Sequence, residues 1–141
     1  MTTPRTLRPL RIAMIAPPWF TVPPQGYGGV ENMCADLVDG LVERGHEVTL
    51  IGAGIPGTKA GRFEVTYLEP PSGRLGEPLP EVVHTAAVAR ILASLDVDLV
   101  HDHTLAGPLL ALALLFHASA WPRQRHLEVR RWWQDLDPSQ R

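Results

Sequence analysis

Two short segments of this sequence hold residue types suited to chemistry at a ligand site. They are Gly26-Tyr27-Gly28-Gly29-Val30-Glu31 and His101-Asp102-His103-Thr104. A glycine pair that opens a helix leaves backbone N–H groups free at the positive end of the helix dipole. It also removes side chains that would hold a phosphate away. Gly28 and Gly29 therefore read as a diphosphate seat, with a tight turn as the plain alternative. Imidazoles beside a carboxylate can hydrogen-bond hydroxyl groups, and His103 is expected to reach the crevice at a strand end. The two histidines are expected to turn to opposite sides of the segment, which gives no ready metal pair, and no metal site is expected. The plain alternative is that both are strand-end polar groups satisfied by backbone.

Several chemistries are excluded by spacing. A dinucleotide fingerprint needs glycine where Glu31 stands, and an acid at the end of the second strand, where Ile51-Gly52-Ala53 has none. No G-x-x-x-x-G-K-[ST] loop and no G-x-S-x-G elbow occurs. The loop before Gly28 is long and carries Trp19, Phe20 and Tyr27, a wall suited to a polyhydroxy or amphiphilic acceptor. Cys34 reads as an inert core thiol, His46 as a cap on helix carbonyls, and His84 as a surface residue. Asp96, Asp98 and Asp102 show no evident partner. No residue is assigned a catalytic role.

The elements that must position these groups follow from apolar periodicity. Ile12 to Ala16 is a continuous apolar run, the pattern of a strand buried on both faces. From Gly29, Val30, Met33, Cys34, Leu37, Val38, Leu41 and Val42 recur at helical spacing, and Gly45 stops the helix. Val48 to Ile51 reads as a second buried strand, which completes a βαβ unit with a parallel sheet and a right-handed crossover. Phe63 to Leu68 predicts a third strand. The segment 69–80, with four prolines and two glycines, predicts a loop. Pro80-Glu81 predicts a helix start with Val83, Ala87, Ile91 and Leu95 as its buried stripe. Val97 to Val100 predicts a fourth strand, and Leu105 to about Phe116 a third helix.

The chain has 141 residues, 13 Lys+Arg against 15 Asp+Glu, and a formal charge of −2. That length suits one domain, and that charge gives no support for a nucleic-acid or anionic-membrane surface. A single cysteine excludes a disulfide framework. The early apolar run breaks at Pro17-Pro18, too short for a signal peptide, so a cytoplasmic location is expected. Trp121 to Arg141 holds three of the four tryptophans and a local charge of +2. The predicted organisation is an arm over 1–10, an α/β Rossmann-like domain over 11–117 with a parallel sheet and helices on both faces, and an atypical basic, Trp-rich tail over 118–141. An exposed sheet edge and that tail predict an association-prone chain.

Four segments in order resemble the start of glycosyltransferase family 4. They are Arg11-Ile-Ala-Met-Ile-Ala-Pro-Pro-Trp19, Gly28-Gly29-Val30-Glu31, Leu41-Val-Glu-Arg-Gly-His-Glu-Val-Thr-Leu50 and Asp96-Val-Asp-Leu-Val-His-Asp-His-Thr-Leu-Ala-Gly107. The resemblance implies one half of a GT-B architecture, in which two Rossmann-like domains face a cleft. It implies sugar transfer from a nucleotide-sugar donor to a hydroxyl acceptor, with retention, and no cofactor or metal. Gly28 and Gly29 match the loop that approaches the donor diphosphate, while Tyr27, His101, Asp102 and His103 fall on the acceptor side. The family's further strand-end histidine has no counterpart in Ala118-Ser-Ala-Trp-Pro-Arg. Its donor-binding second domain, with basic residues and an E-x7-E motif, does not fit in the remaining length. The resemblance thus implies a truncated lobe, weak or inactive alone, or one completed by a separate C-terminal chain. The alternatives are a non-catalytic remnant or ligand-binding module, and, disfavoured by Glu31, a nucleotide-dependent oxidoreductase. No nucleic-acid partner and no transmembrane segment are expected.

Overall fold

A computed structural model describes residues 8–105 and residue 107. The elements are β1 (Arg11–Ile15), α1 (Gly29–Glu43), β2 (Glu47–Ala53), β3 (Arg62–Tyr67), a one-turn 3-10 helix (Ser72–Arg74), α2 (Pro78–Ala93) and β4 (Leu99–Asp102). The four strands form a parallel sheet in the order β3-β2-β1-β4. The fold is α/β and Rossmann-like. The predicted third helix beyond Gly107 and the basic tail lie outside the described residues.

β1 explains the layering. Its side chains alternate, and both sides are buried. Ile12, Met14 and Ala16 join Val48, Leu50, Cys34, Ala35 and Val38 in a core under α1. Ala13 and Ile15 join Ile51, Val88 and Leu92 in a second core under α2. A strand flanked on both sides by helices reads as an uninterrupted apolar run, as this one does. The Cys34 thiol is buried as expected, and burial, reinforced by Glu31, pushes it up to about 12, so it stays protonated.

The link from β2 to β3 contains no helix. It runs along α1 instead, where the Lys59 backbone N–H donates to Asp39 and its ammonium pairs with Glu43. Among the described residues no helix is long and apolar enough to cross a membrane.

Three expectations about this frame need correction. The buried stripe of α2 is Pro80, His84, Val88 and Leu92, one position later than predicted. Val83 is 43% exposed, whereas His84 is wholly buried rather than on the surface. A histidine whose nitrogen is held by Thr66 fills an interior position that an apolar pattern assigns to its neighbour. His46 does not cap helix carbonyls with its side chain. Its backbone N–H donates to Leu41 O, while its Nδ1 accepts from the Leu10 N–H.

Asp96 and Asp98 have a shared partner after all. Asp98 accepts from the Arg11 backbone N–H at 3.0 Å, from Nε at 3.3 Å and from Nη2 at 3.1 Å. Asp98 N–H donates back to Arg11 O at 2.8 Å, and Arg11 also pairs with Asp96. This clamp joins the amino ends of β1 and β4. The Arg11 bonds hold the Asp98 carboxyl down at about 2.

That depressed value fixes the sign of a pH effect. The contribution of Asp98 is fully present above the ordinary carboxylate range and is lost as pH falls through about 2. Asp98→Asn is expected to cost about 1–3 kcal/mol at pH 7, since hydrogen bonds to a charged group are removed. Urea unfolding of the two proteins at pH 7 and pH 2 checks this, with the difference shrinking at the lower pH.

Candidate functional site

In an open α/β sheet, ligands bind outside the carboxyl ends of the strands, where the strand order reverses. Here β1 leads through α1 to β2 on one side and has β4 on the other, so the reversal falls between β1 and β4. Both sequence-selected segments lie at this end. Gly28 and Gly29 close the loop that leaves β1, and His101 to His103 end β4. The His103 N–H donates to Ile15 O, which fixes the histidine segment beside β1.

The two glycines have different physical reasons to be glycine. Gly28 precedes α1 with φ +140°, and a Cβ there would meet Pro24 at 2.9 Å. Backbone conformation and packing both demand glycine at that position. Gly29 is helical, exposed, and has nothing within 4 Å of where its Cβ would be. Among the described residues, nothing in the packing requires glycine at position 29. Its missing side chain leaves open space at the first turn of α1, where the N-cap residue Gly28 supplies no side-chain cap.

Glu31 closes the same turn from within. It is only 3% exposed, and burial raises its carboxyl above the ordinary value, partly offset by its own backbone N–H. Its Oε2 lies 3.2 Å from the Cβ position of Gly28. The loop aromatics divide. Tyr27 is 80% exposed and meets Phe20 edge-on at 5.8 Å, while Trp19 is buried and its indole N–H donates to Glu81 at 3.0 Å. Only part of the expected aromatic wall therefore faces outward.

At the end of β4 the imidazoles of His101 and His103 lie on the same side, with ring centroids 4.4 Å apart and planes 31° from parallel. The expectation of opposite faces is overturned, because residues two apart on an extended chain share a face. Even so, no group of three or more potential metal ligands occurs among the described residues. Asp102 accepts from the backbone N–H and the hydroxyl of Thr104, both at 2.8 Å. Burial lowers His103, with His101 acting in the same sense and Asp102 opposing. Its Nε2 is buried without a hydrogen-bond partner among the described residues.

Sequence reasoning missed His84. From α2 it reaches the same strand ends, where the Ala16 carbonyl and the Asp102 charge act on its ring. Its Nδ1 lies 2.8 Å from Thr66 Oγ1, and that hydroxyl donates its only proton to Gly52 O. Its Nε2 is buried and lacks a hydrogen-bond partner of good geometry among the described residues. The signal in the sequence was the register of His84 with Val88 and Leu92 at steps of four. An open depression of about 550 Å³ lies at the opposite end, around Arg11, His46, Lys59 and Arg62, remote from both motifs.

The family model for Glycosyltransferase Family 4 matches residues 27–135. A similar solved structure is the crystal structure of AviGT4, a glycosyltransferase involved in avilamycin A biosynthesis. It is 36% identical over 67% of this chain and 26% of that one, with a TM-score of 0.44. This chain thus spans about a quarter of the length of that protein. No curated protein matches the sequence.

His84 makes stability depend on pH with a definite sign. Burial holds the folded imidazole down at about 4, while an ordinary histidine takes a proton near 6.5. As pH falls between these values the unfolded chain binds the proton and the folded chain does not, so stability declines from pH 6.5 and levels off below about 4. The full decline is roughly 3 kcal/mol. Urea midpoints measured across this range should show it, and His84→Gln should flatten the slope.

Proposed function

The chain belongs to glycosyltransferase family 4, and from that premise we propose that it is the acceptor-side lobe of a GT-B sugar transferase. In this reading a sugar moves from a nucleotide-sugar donor to a hydroxyl acceptor with retention of configuration and without a metal. The observation that carries it is Gly29, whose missing side chain serves no internal packing and clears the amino end of α1. A donor diphosphate approaching there meets backbone N–H groups and the positive end of the helix dipole. Tyr27, His101, Asp102 and His103 take the acceptor side, where a carboxylate and imidazoles bind and orient hydroxyl groups.

The lobe brings little positive charge to this chemistry. Segments 16–31, 77–88 and 99–105 contain no lysine or arginine. A departing diphosphate is stabilised by cations set where charge develops, so those groups come from a second lobe. The isolated lobe should bind nucleotide weakly, near millimolar, because it offers only backbone donors. A cytoplasmic setting suits such a transferase. The reading of a non-catalytic ligand-binding module makes the same contacts without turnover.

The paired glycines provide the test. Gly28→Ala should lower the thermal midpoint by several degrees, since both dihedral and packing oppose it. Gly29→Ala should leave the midpoint nearly unchanged but weaken uridine or guanosine diphosphate binding about tenfold, as read from amide shifts in the first turn of α1. Equal nucleotide binding by Gly29→Ala and the parent chain, or tight NAD binding instead, would remove the proposal. Transfer from a nucleotide sugar by the chain would eliminate the non-catalytic alternative.

A further inference from the structure

The segment from Ile12 to Val30 contains no charged residue, and the loop within it carries Trp19, Phe20 and Tyr27. Two apolar groups fasten this loop to the body. Trp19 is buried with its indole N–H on Glu81, and Val22 lies wholly inside the core under α1. Val22 O also accepts from the Gly57 N–H at 2.8 Å, and Pro24 lies against Gly28, which closes the loop just beyond Tyr27. Phe20 and Tyr27 take no part in that anchoring. Tyr27 is 80% exposed, and the one aromatic ring it meets among the described residues is Phe20, with planes 70° apart. An edge-on contact of this kind leaves a face of the Tyr27 ring open.

The first turn of α1 adds apolar surface independently. Helical spacing places Val30 and Met33 with the buried residues, but α1 buries Glu31, Cys34, Ala35 and Val38 instead. Val30 is 42% exposed and Met33 47%. Residues three apart share a helix face, so the two form an apolar step next to the turn that Gly28 and Gly29 open. A diphosphate has no apolar surface to offer these groups, and an uncharged loop selects no ionic one. A phenol face and a thioether are the partners that aromatic rings favour.

We propose that the hydroxyl acceptor carries an aromatic ring, which stacks on Tyr27 at the carboxyl end of the sheet. The proposal rests on the acceptor-side reading above and names the chemical class of that acceptor, a glycoside or polyol with an aromatic group attached. Tyr27 is a specificity-determining residue that contacts the ring. Phe20 is a positioning residue beside it, on a loop held by Trp19 and Val22.

The experiment is a titration of the full 141-residue chain with phenyl, hexyl and methyl β-D-glucoside, following the Tyr27 ring signals and the His101 and His103 imidazole signals. Phenyl glucoside is expected to act at about fivefold lower concentration than methyl glucoside, the advantage of one aromatic stack, and to move the Tyr27 ring signals upfield. Tyr27→Phe should keep that preference and Tyr27→Ala should abolish it. A preference that survives Tyr27→Ala would overturn the assignment. Equal responses to all three glucosides would overturn the aromatic inference while leaving the acceptor site in place. A hexyl response matching the phenyl one would overturn it in favour of an alkyl-bearing acceptor. Histidine signals unmoved by every glucoside would remove the acceptor-side reading and this inference with it. The comparison among ligands uses the unaltered chain, so it stands even if a variant fails to fold.

Discussion

The burial of β1 on both faces is the constraint on which the rest of this structure depends. Four of its five residues, Ile12 to Ile15, are divided between two cores, one under α1 and one under α2. A strand in that position has no solvent face, so both of its neighbours must also be strands and both layers must be helices. Ile15 and Ala16 then form the floor on which everything functional is mounted. Ile15 O receives the His103 N–H, Ala16 N–H donates to Ile51 O, and the loop to Gly28 and Gly29 starts immediately beyond. A fully buried side chain of this size contributes about 1.5–3 kcal/mol. Placement of the histidine segment is thus coupled to the most stable part of the sheet rather than to a mobile surface.

The two ends of that strand differ in charge, and the difference has a structural source. At the amino end Arg11 is held by Asp96 and Asp98, and the Lys59 and Arg62 side chains are likewise paired with carboxylates. Those cations fasten elements together. At the carboxyl end the acids are used locally, against an indole, a threonine and a helix turn, and Arg74 near Tyr67 is paired with Glu77. The fold therefore spends its strong cations on its own frame. Whatever binds at the other end meets backbone donors, carboxylates and imidazoles.

What could be read from the sequence follows the same division. The apolar run of β1 and the helical spacing of Val30 to Val42 reported the sheet and α1, because a buried surface constrains residue type at every position it covers. The family motifs reported Gly28, Gly29 and His101 to His103. The α2 register escaped, since Val83 competes with His84 for the interior on hydropathy alone, and only the Thr66 hydroxyl decides between them. Arg11 pairing with Asp96 and Asp98 escaped because the partners are more than 80 residues apart in the chain and meet only when β4 settles beside β1. The histidine orientation was a matter of strand period, which places residues 101 and 103 together.

Gly28 and Gly29 show why a motif alone is an incomplete argument for chemistry. Either glycine, read in isolation, admits a structural explanation, and for Gly28 that explanation is sufficient: its φ and the proximity of Pro24 leave no room for another residue. Gly29 opens α1 with ordinary helical geometry and has open space around it among the described residues. It opens the turn whose N-cap residue, Gly28, supplies no side-chain cap and whose third N–H is met by the Glu31 carboxyl. Ligand approach at that point is the proposed use of this open turn. It also explains why the strained glycine comes first: Gly28 turns the chain so that Gly29, and not a bulkier neighbour, leads the helix into the crevice.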